Sequence, residues 1–115
     1  MKKIGVFGGT FDPVHIGHLI IAQDVFEQLK LDRMCFIPAE RSPHKLNLHI
    51  TPSRHRLRML RLALARKKNF CVLDTEICRG GPSYTYETLE DLKYRNPGAM
   101  LFLLMGLDTY KGLGS

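Results

Sequence analysis

The sequence predicts an α/β fold, a parallel sheet flanked by helices, and three observations carry that expectation. Short apolar runs alternate with segments of helical periodicity, in the order strand, helix, strand, helix, strand, helix, strand. The helices are long enough to serve as crossovers between parallel strands. The run Met100 to Met105 (MLFLLM) is apolar throughout, which predicts a strand buried on both faces.

Each element has its own signal. Residues 3–7 (KIGVF) form a short apolar run that ends in Gly8-Gly9 and suits a buried strand. Residues 17–30 carry Ile21, Val25 and Leu29 at helical spacing, with Leu19, Ala22 and Phe26 beside them. Residues 34–37 (MCFI) are the second strand, closed by Pro38. A polar loop follows over 39–51, and Thr51-Pro52 opens a helix with Thr51 as its N-cap. That helix has an apolar stripe at Leu57, Leu60, Ala63 and Leu64, and residues 70–73 (FCVL) are the third strand. Gly80-Gly81-Pro82 makes a turn. Ser83 can cap a helix over 84–95, with Glu87 or Glu90 favourable near its positive end. Asn96-Pro97-Gly98 stops that helix before the last strand.

A length of 115 residues with 44% hydrophobic content fits one globular domain, 1–115. No apolar run approaches the ~18 residues of a membrane span, and the N-terminal apolar stretch is too short for a signal peptide. A cytoplasmic protein without a membrane role is expected. The net charge is +6, from 17 basic and 11 acidic residues, which favours anionic partners. Arg54, Arg56, Arg58, Arg61, Arg66, Lys67 and Lys68 concentrate the positive charge. A solvated helix face explains them. A nucleic-acid-binding module is the alternative, but the segment lacks interleaved aromatics and any binding motif, so no nucleic acid is expected. Cys35, Cys71 and Cys78 show no CxxC spacing, and reduced thiols are expected rather than a disulfide framework or a zinc knuckle.

Parallel sheets bind ligands beyond the carboxyl ends of their strands. The chemically suggestive residues fall there: 8–18, 38–45, 79–88 and 106–108. The first group runs Gly8-Gly9-Thr10-Phe11-Asp12-Pro13-Val14-His15-Ile16-Gly17-His18. Two glycines let backbone approach a ligand, and the helix start offers N–H groups to phosphate. His15 and His18 can face one bound group, with Gly17 leaving room for it. For either histidine alone, a local cap is the plain alternative. A zinc site needs further ligands, and His44, His49 and His55 supply no partner motif, so no protein-held metal is expected.

The spacing GxFDPxHxGH over Gly9–His18 resembles the HxGH signature of the nucleotidyltransferase superfamily. Within it, Ser42-Pro43-His44-Lys45 and Arg79-Gly80-Gly81-Pro82-Ser83-Tyr84-Thr85-Tyr86-Glu87-Thr88 resemble the nicotinate-nucleotide adenylyltransferase branch. Gly106-Leu107-Asp108 matches that branch's GxD, placed directly after MLFLLM. Pantetheine-phosphate and other HxGH transferases share the first motif, but SPHK and GPSYTYET are not expected in them, so an enzyme of that type is the lesser alternative.

The resemblance implies a Rossmann-like nucleotidyltransferase fold and adenylyl transfer from ATP to nicotinate mononucleotide, giving deamido-NAD and pyrophosphate in NAD biosynthesis. It implies His15, His18 and Lys45 as catalytic. It implies Gly8, Gly9, Thr10, Phe11, His15, His18, Gly106 and Asp108 on ATP, and Thr10, Lys45, Tyr84 and Thr85 on the nicotinate nucleotide. Mg2+ is expected with ATP. The attacking 5′-phosphate, with a second pKa of about 6, needs no strong base at pH 7, so positioning and charge stabilisation suffice. The family pattern continues past GxD to an ISSTxIR segment, and a tryptophan usually follows GxD; the sequence contains neither. A C-terminally shortened chain is therefore expected, with weak or absent catalysis and self-association through an uncovered sheet edge. A non-catalytic nucleotide-binding remnant of the same ancestry is the alternative.

Overall fold

Four parallel strands form the sheet, in the order β3-β2-β1-β4, in a computed structural model that describes residues 1–40, 50–80 and 85–105. Along the chain these are β1 (Lys3–Gly9), α1 (Ile16–Gln28), β2 (Arg33–Pro38), α2 (Ser53–Leu64), β3 (Phe70–Val72), α3 (Thr75–Arg79), α4 (Thr85–Arg95) and β4 (Met100–Met105). The α/β expectation holds. β1 runs two residues further than its apolar signal, because Gly8 and Gly9 still pair with Ile37 and Pro38.

Side chains alternate across the strands and sort into two layers, as the pleat requires. Phe7, Met34, Phe36, Phe70, Val72, Phe102 and Leu104 face α1 and α2, packing with Ala22, Leu60 and Leu64. Ile4, Val6, Cys35, Ile37, Cys71, Leu73 and Leu101 face the other way, toward Leu89, Leu92 and Ala99. The glycine at position 5 belongs to the first layer: a Cβ there would lie 2.7 Å from Met34 Sδ and 2.8 Å from Leu31 Cδ1. Met34, with no exposed surface, fills that gap.

Three expectations need correction. β4 is not buried on both faces: it is an edge strand, with Met100 and Leu103 exposed. Its outer side has no strand neighbour among the described residues. The cap of α2 is Pro52 rather than Thr51, without a side-chain cap hydrogen bond; the Thr51 N–H instead donates to Asp12 Oδ2 at 2.9 Å. The third correction is α3, a five-residue helix absent from the sequence reading. Ser83, the expected cap of α4, lies outside the described residues, while Glu87 does sit in that helix's first turn.

Strand order sets where a ligand can bind. From β1 the chain winds outward through β2 to β3, then crosses back to place β4 on the other side of β1. The direction of winding therefore reverses between β1 and β4, and ligands of open parallel sheets bind beyond the strand ends at such a reversal.

Candidate active site

At that reversal lies the turn from Thr10 to His15. Phe11 adopts a left-handed backbone (φ 50°), unusual for a bulky residue, while its side chain is only 3% exposed. Packing holds it there: its ring lies 5.3 Å from Phe7 and 5.5 Å from Phe36. Above this floor sits His18, whose ring meets Phe11 edge-on at 5.0 Å. Held strain of about 1–3 kcal/mol is characteristic of residues that shape a site.

His15 is the N-cap of α1, with extended backbone (φ −139°, ψ 174°). Its Nδ1 accepts the Gly17 N–H at 3.1 Å, and His18 Nδ1 accepts the His15 N–H at 3.0 Å. The two imidazoles thus form a reciprocal capping box, an arrangement ordinarily built from a hydroxyl and a carboxamide or carboxylate. Their centroids are 3.8 Å apart, with planes inclined by 31°. The chemical consequence is a tautomer assignment. A nitrogen that accepts an N–H must present a lone pair, so the proton of each neutral ring resides on Nε2. Two stacked rings therefore carry N–H donors on their outer nitrogens at the positive end of a helix. Such donors match anionic oxygens.

The cap alternative and the ligand alternative are thus not exclusive: Nδ1 caps the helix, and the N–H donor lies on the opposite side of the ring. Gly17 has a different role from the one expected. A Cβ there would lie 2.9 Å from His15 Cε1 and 3.0 Å from its Nδ1, so its bareness admits the His15 ring rather than the ligand. Gly17→Ala should leave the urea midpoint nearly unchanged, since a helix-propensity gain of up to about 1 kcal/mol offsets a cap loss of about 1 kcal/mol. Affinity for a phosphate-bearing ligand, measured by calorimetry, should fall at least about tenfold through a loss of roughly 1.4 kcal/mol. Gly8 is different again: nothing lies within 4 Å of a Cβ built on it.

The turn is anchored from beneath by Arg56. Its side chain is 1% exposed, and its guanidinium donates to four carbonyls. Nε reaches Thr51 O at 2.8 Å, Nη1 reaches Thr10 O at 2.9 Å and Ala39 O at 2.6 Å, and Nη2 reaches Glu40 O at 3.0 Å. One planar fork thus ties the turn after β1, the segment after β2 and the start of α2. Burial pulls its pKa below the ordinary value, while the nearby Asp12 and Glu40 carboxylates oppose that shift. The reading of the basic cluster as a solvated face fails at this position but holds for exposed Arg54, Arg58 and Arg61.

A second buried polar knot lies under the start of α4. Thr88, 2% exposed, donates its hydroxyl to Glu76 Oε2 and accepts from Arg79 Nη2 at 3.1 Å. Arg79 also approaches Glu87, at 3.7 Å. α3 therefore brings Glu76 and Arg79 against the first turn of α4.

Comparison with known proteins addresses the lineage. The cytidylyltransferase-like family model matches residues 6–115. The chain belongs to the cytidylyltransferase-like family. A curated relative, the nicotinate-nucleotide adenylyltransferase of Bacillus subtilis (strain 168), is 48% identical over 113 residues, which is 98% of this chain and 60% of that protein. Among solved structures, Plasmodium falciparum nicotinic acid mononucleotide adenylyltransferase complexed with NaAD superposes with a TM-score of 0.77 at 18% identity, covering 90% of this chain and 51% of that one. The same enzyme complexed with APC gives a TM-score of 0.69 at 16% identity, covering 90% and 50%. At those identities the likeness is one of fold. The chain spans little more than half the length of these relatives.

Within this cytidylyltransferase-like fold, the expected residues separate by position. Gly8, Gly9, Thr10, Phe11, His15 and His18 come together at the end of β1, with Phe11's ring forming the buried floor. Thr85 begins α4, but its side chain lies outside the described residues, as do Lys45, Tyr84, Gly106 and Asp108. Arg56 was missed as a contributor, although its position carried a signal. It precedes Leu60 by four residues and Leu64 by eight, on the stripe that turns inward.

Proposed function

We propose that the chain supplies the nucleotide-binding half-site of an adenylyltransferase, which transfers AMP from ATP to nicotinate mononucleotide and yields deamido-NAD and pyrophosphate. The observation that carries this reading is the reciprocal cap of His15 and His18, which fixes two Nε2–H donors at the helix start beyond β1. The 48% identity to the Bacillus subtilis enzyme across 98% of this chain supports the same reading. So do the SPHK and GPSYTYET segments in their expected order.

In this mechanism the protein contributes position and charge complementarity. The phosphate of nicotinate mononucleotide attacks the α-phosphorus of ATP, and negative charge grows on the departing pyrophosphate. His15 and His18 donate to phosphate oxygens through Nε2, while the Gly8-Gly9 backbone lets the nucleotide approach β1 closely. Phe11 holds the floor, and Thr10 lies between the two nucleotides. From the motif resemblance we assign charge neutralisation to Lys45, recognition of the nicotinate nucleotide to Tyr84 and Thr85, and recognition of ATP to Gly106 and Asp108. We take residues 1–115 as a single, partial nucleotidyltransferase domain, and we place it in the cytoplasm.

Magnesium fits this site as cargo of the nucleotide. Among the described residues, no three His, Cys, Asp or Glu side chains converge to hold a metal. The histidine Nδ1 lone pairs are already committed to backbone N–H groups. We assign Mg2+ to the polyphosphate oxygens and water, as is usual for a nucleotide-borne magnesium ion. Likewise, no helix among the described residues is long and apolar enough to cross a membrane.

The decisive assay mixes the chain with ATP, nicotinate mononucleotide and Mg2+ and follows pyrophosphate. Release that requires both nucleotides supports the proposal. Nucleotide binding without release would reduce the chain to a binding module, and neither binding nor release would end this reading. The side of β4 that has no strand neighbour among the described residues carries a further expectation, self-association. Sedimentation should show concentration-dependent oligomers, and Leu103→Lys, at a position 37% exposed, should shift them toward monomer.

A further inference from the structure

Cys35 and Cys71 are direct partners across adjacent parallel strands, β2 and β3. Both project to the face opposite α1 and α2, in the cluster with Ile4 and Leu101. Their Sγ atoms share a hydrogen bond at 3.1 Å, and both are free thiols. Neighbouring strands lie about 4.8 Å apart. That separation falls within the Cα spacing of about 4.4–6.8 Å that a disulfide spans.

We propose that Cys35 and Cys71 form a dithiol site that is converted to a cross-strand disulfide by oxidants of the hydroperoxide class. The site is independent of the nucleotide chemistry proposed above.

The two thiols are unequal, which gives each a role. Cys71 lies on the edge strand and is half-buried, whereas Cys35 is 2% exposed. The hydrogen bond shared with Cys35 holds the Cys71 pKa down to about 7, with burial opposing and positive Arg33 assisting. The same hydrogen bond and burial push the Cys35 thiol up. Cys71, the more accessible sulfur on the edge strand, is therefore the one that meets the oxidant as its thiolate, and buried Cys35 is the thiol behind it.

The Cys71 thiolate attacks one oxygen of hydrogen peroxide. An S–O bond forms, the O–O bond breaks, and hydroxide leaves and takes up a proton. The Cys35 sulfur then attacks the Cys71 sulfenic sulfur. An S–S bond forms, the S–O bond breaks, and water departs with the Cys35 proton. In sum, two thiols and one peroxide give one disulfide and two waters.

The test uses the whole chain and hydrogen peroxide. Thiols are counted after denaturation, and the blocked, digested protein is mapped by mass spectrometry. The three free thiols should fall to one, with Cys35 and Cys71 in a single linked species two hydrogens lighter and exposed Cys78 still alkylatable. Dithiothreitol should restore all three. Cys78→Ser should leave the Cys35–Cys71 link intact, which keeps the test informative even if a buried-cysteine variant fails to fold. A link involving Cys78, a persistent sulfenic acid on Cys71 beside a free Cys35 thiol, or no loss of thiols would each overturn the proposal.

Discussion

Arg56→Met should destabilise the fold on the order of 3 kcal/mol or more, a large share of the ~5–15 kcal/mol typical of a domain. Methionine retains much of the volume but none of the donors, so the loss is chiefly one of hydrogen bonds. Hydrogen bonds from a charged group contribute about 1.5–3 kcal/mol each, and an abandoned buried carbonyl costs about 1–3 kcal/mol. Ala39 O accepts in a buried contact, while those of Thr10, Glu40 and Thr51 are part-buried and regain some hydration. Removing the guanidinium also abolishes its own desolvation cost, which keeps the total below the simple sum. Arg56→Lys should recover only a fraction, because one ammonium cannot reproduce a planar fork that reaches four oxygens. Urea denaturation of the three proteins measures the differences. Equal midpoints for the wild type and Arg56→Met would show that the fork is dispensable. Arg54→Met, at an exposed position on the same helix, should change stability by less than about 0.5 kcal/mol.

On the adenylyl transfer proposed above, His18→Ala should lower whatever rate the chain shows by about 10²–10³-fold, the usual consequence of removing one preorganised donor. The alanine variant also deletes half of the capping box, so a fall in activity could follow from a frayed helix start. His18→Gln separates the two effects. Glutamine at this position is a standard capping-box partner, whose carboxamide oxygen can take the His15 N–H. The glutamine variant should therefore keep wild-type stability and still lose most of its turnover. His18→Ala should lose about 1 kcal/mol of stability as well. If His18→Gln retained full activity, the imidazole would be a cap and nothing more. The pair of variants thus weighs capping against ligand recognition at one residue.

Much of the fold was legible in the sequence because its signals are local. Short apolar runs, helical spacing and turn residues located all four strands and the three longer helices. α3 escaped because five residues are too few to show a helical period. The exposure of β4 escaped for another reason: MLFLLM carries the composition of a central strand, and its edge position depends on strand order, which no local pattern encodes. Arg56 was hidden by its neighbours. Composition makes it one of a basic cluster, and only its alignment with Leu60 and Leu64 distinguishes it.

At the site, the histidine pair and its flanking glycines could be read directly, since they lie within one strand-turn-helix unit. Their mutual capping could not. Sequence spacing placed the rings on one face, but it did not reveal that each Nδ1 is spent on a backbone N–H. Nor did it reveal that Gly17 makes room for His15 rather than for a ligand. The pairing of Cys35 with Cys71 likewise depended on register, which joins residues 36 positions apart.

The histidine tautomers give the most direct test of the central claim. Long-range 1H–15N spectra of the imidazoles, recorded with and without ATP and Mg2+, distinguish a protonated Nε2 from a protonated Nδ1. Both His15 and His18 should show the Nε2–H form in the free protein, and both Nε2 signals should shift on nucleotide addition while the Nδ1 signals hold. Nδ1–H tautomers in the free chain, or Nε2 signals indifferent to saturating nucleotide, would contradict the phosphate cradle.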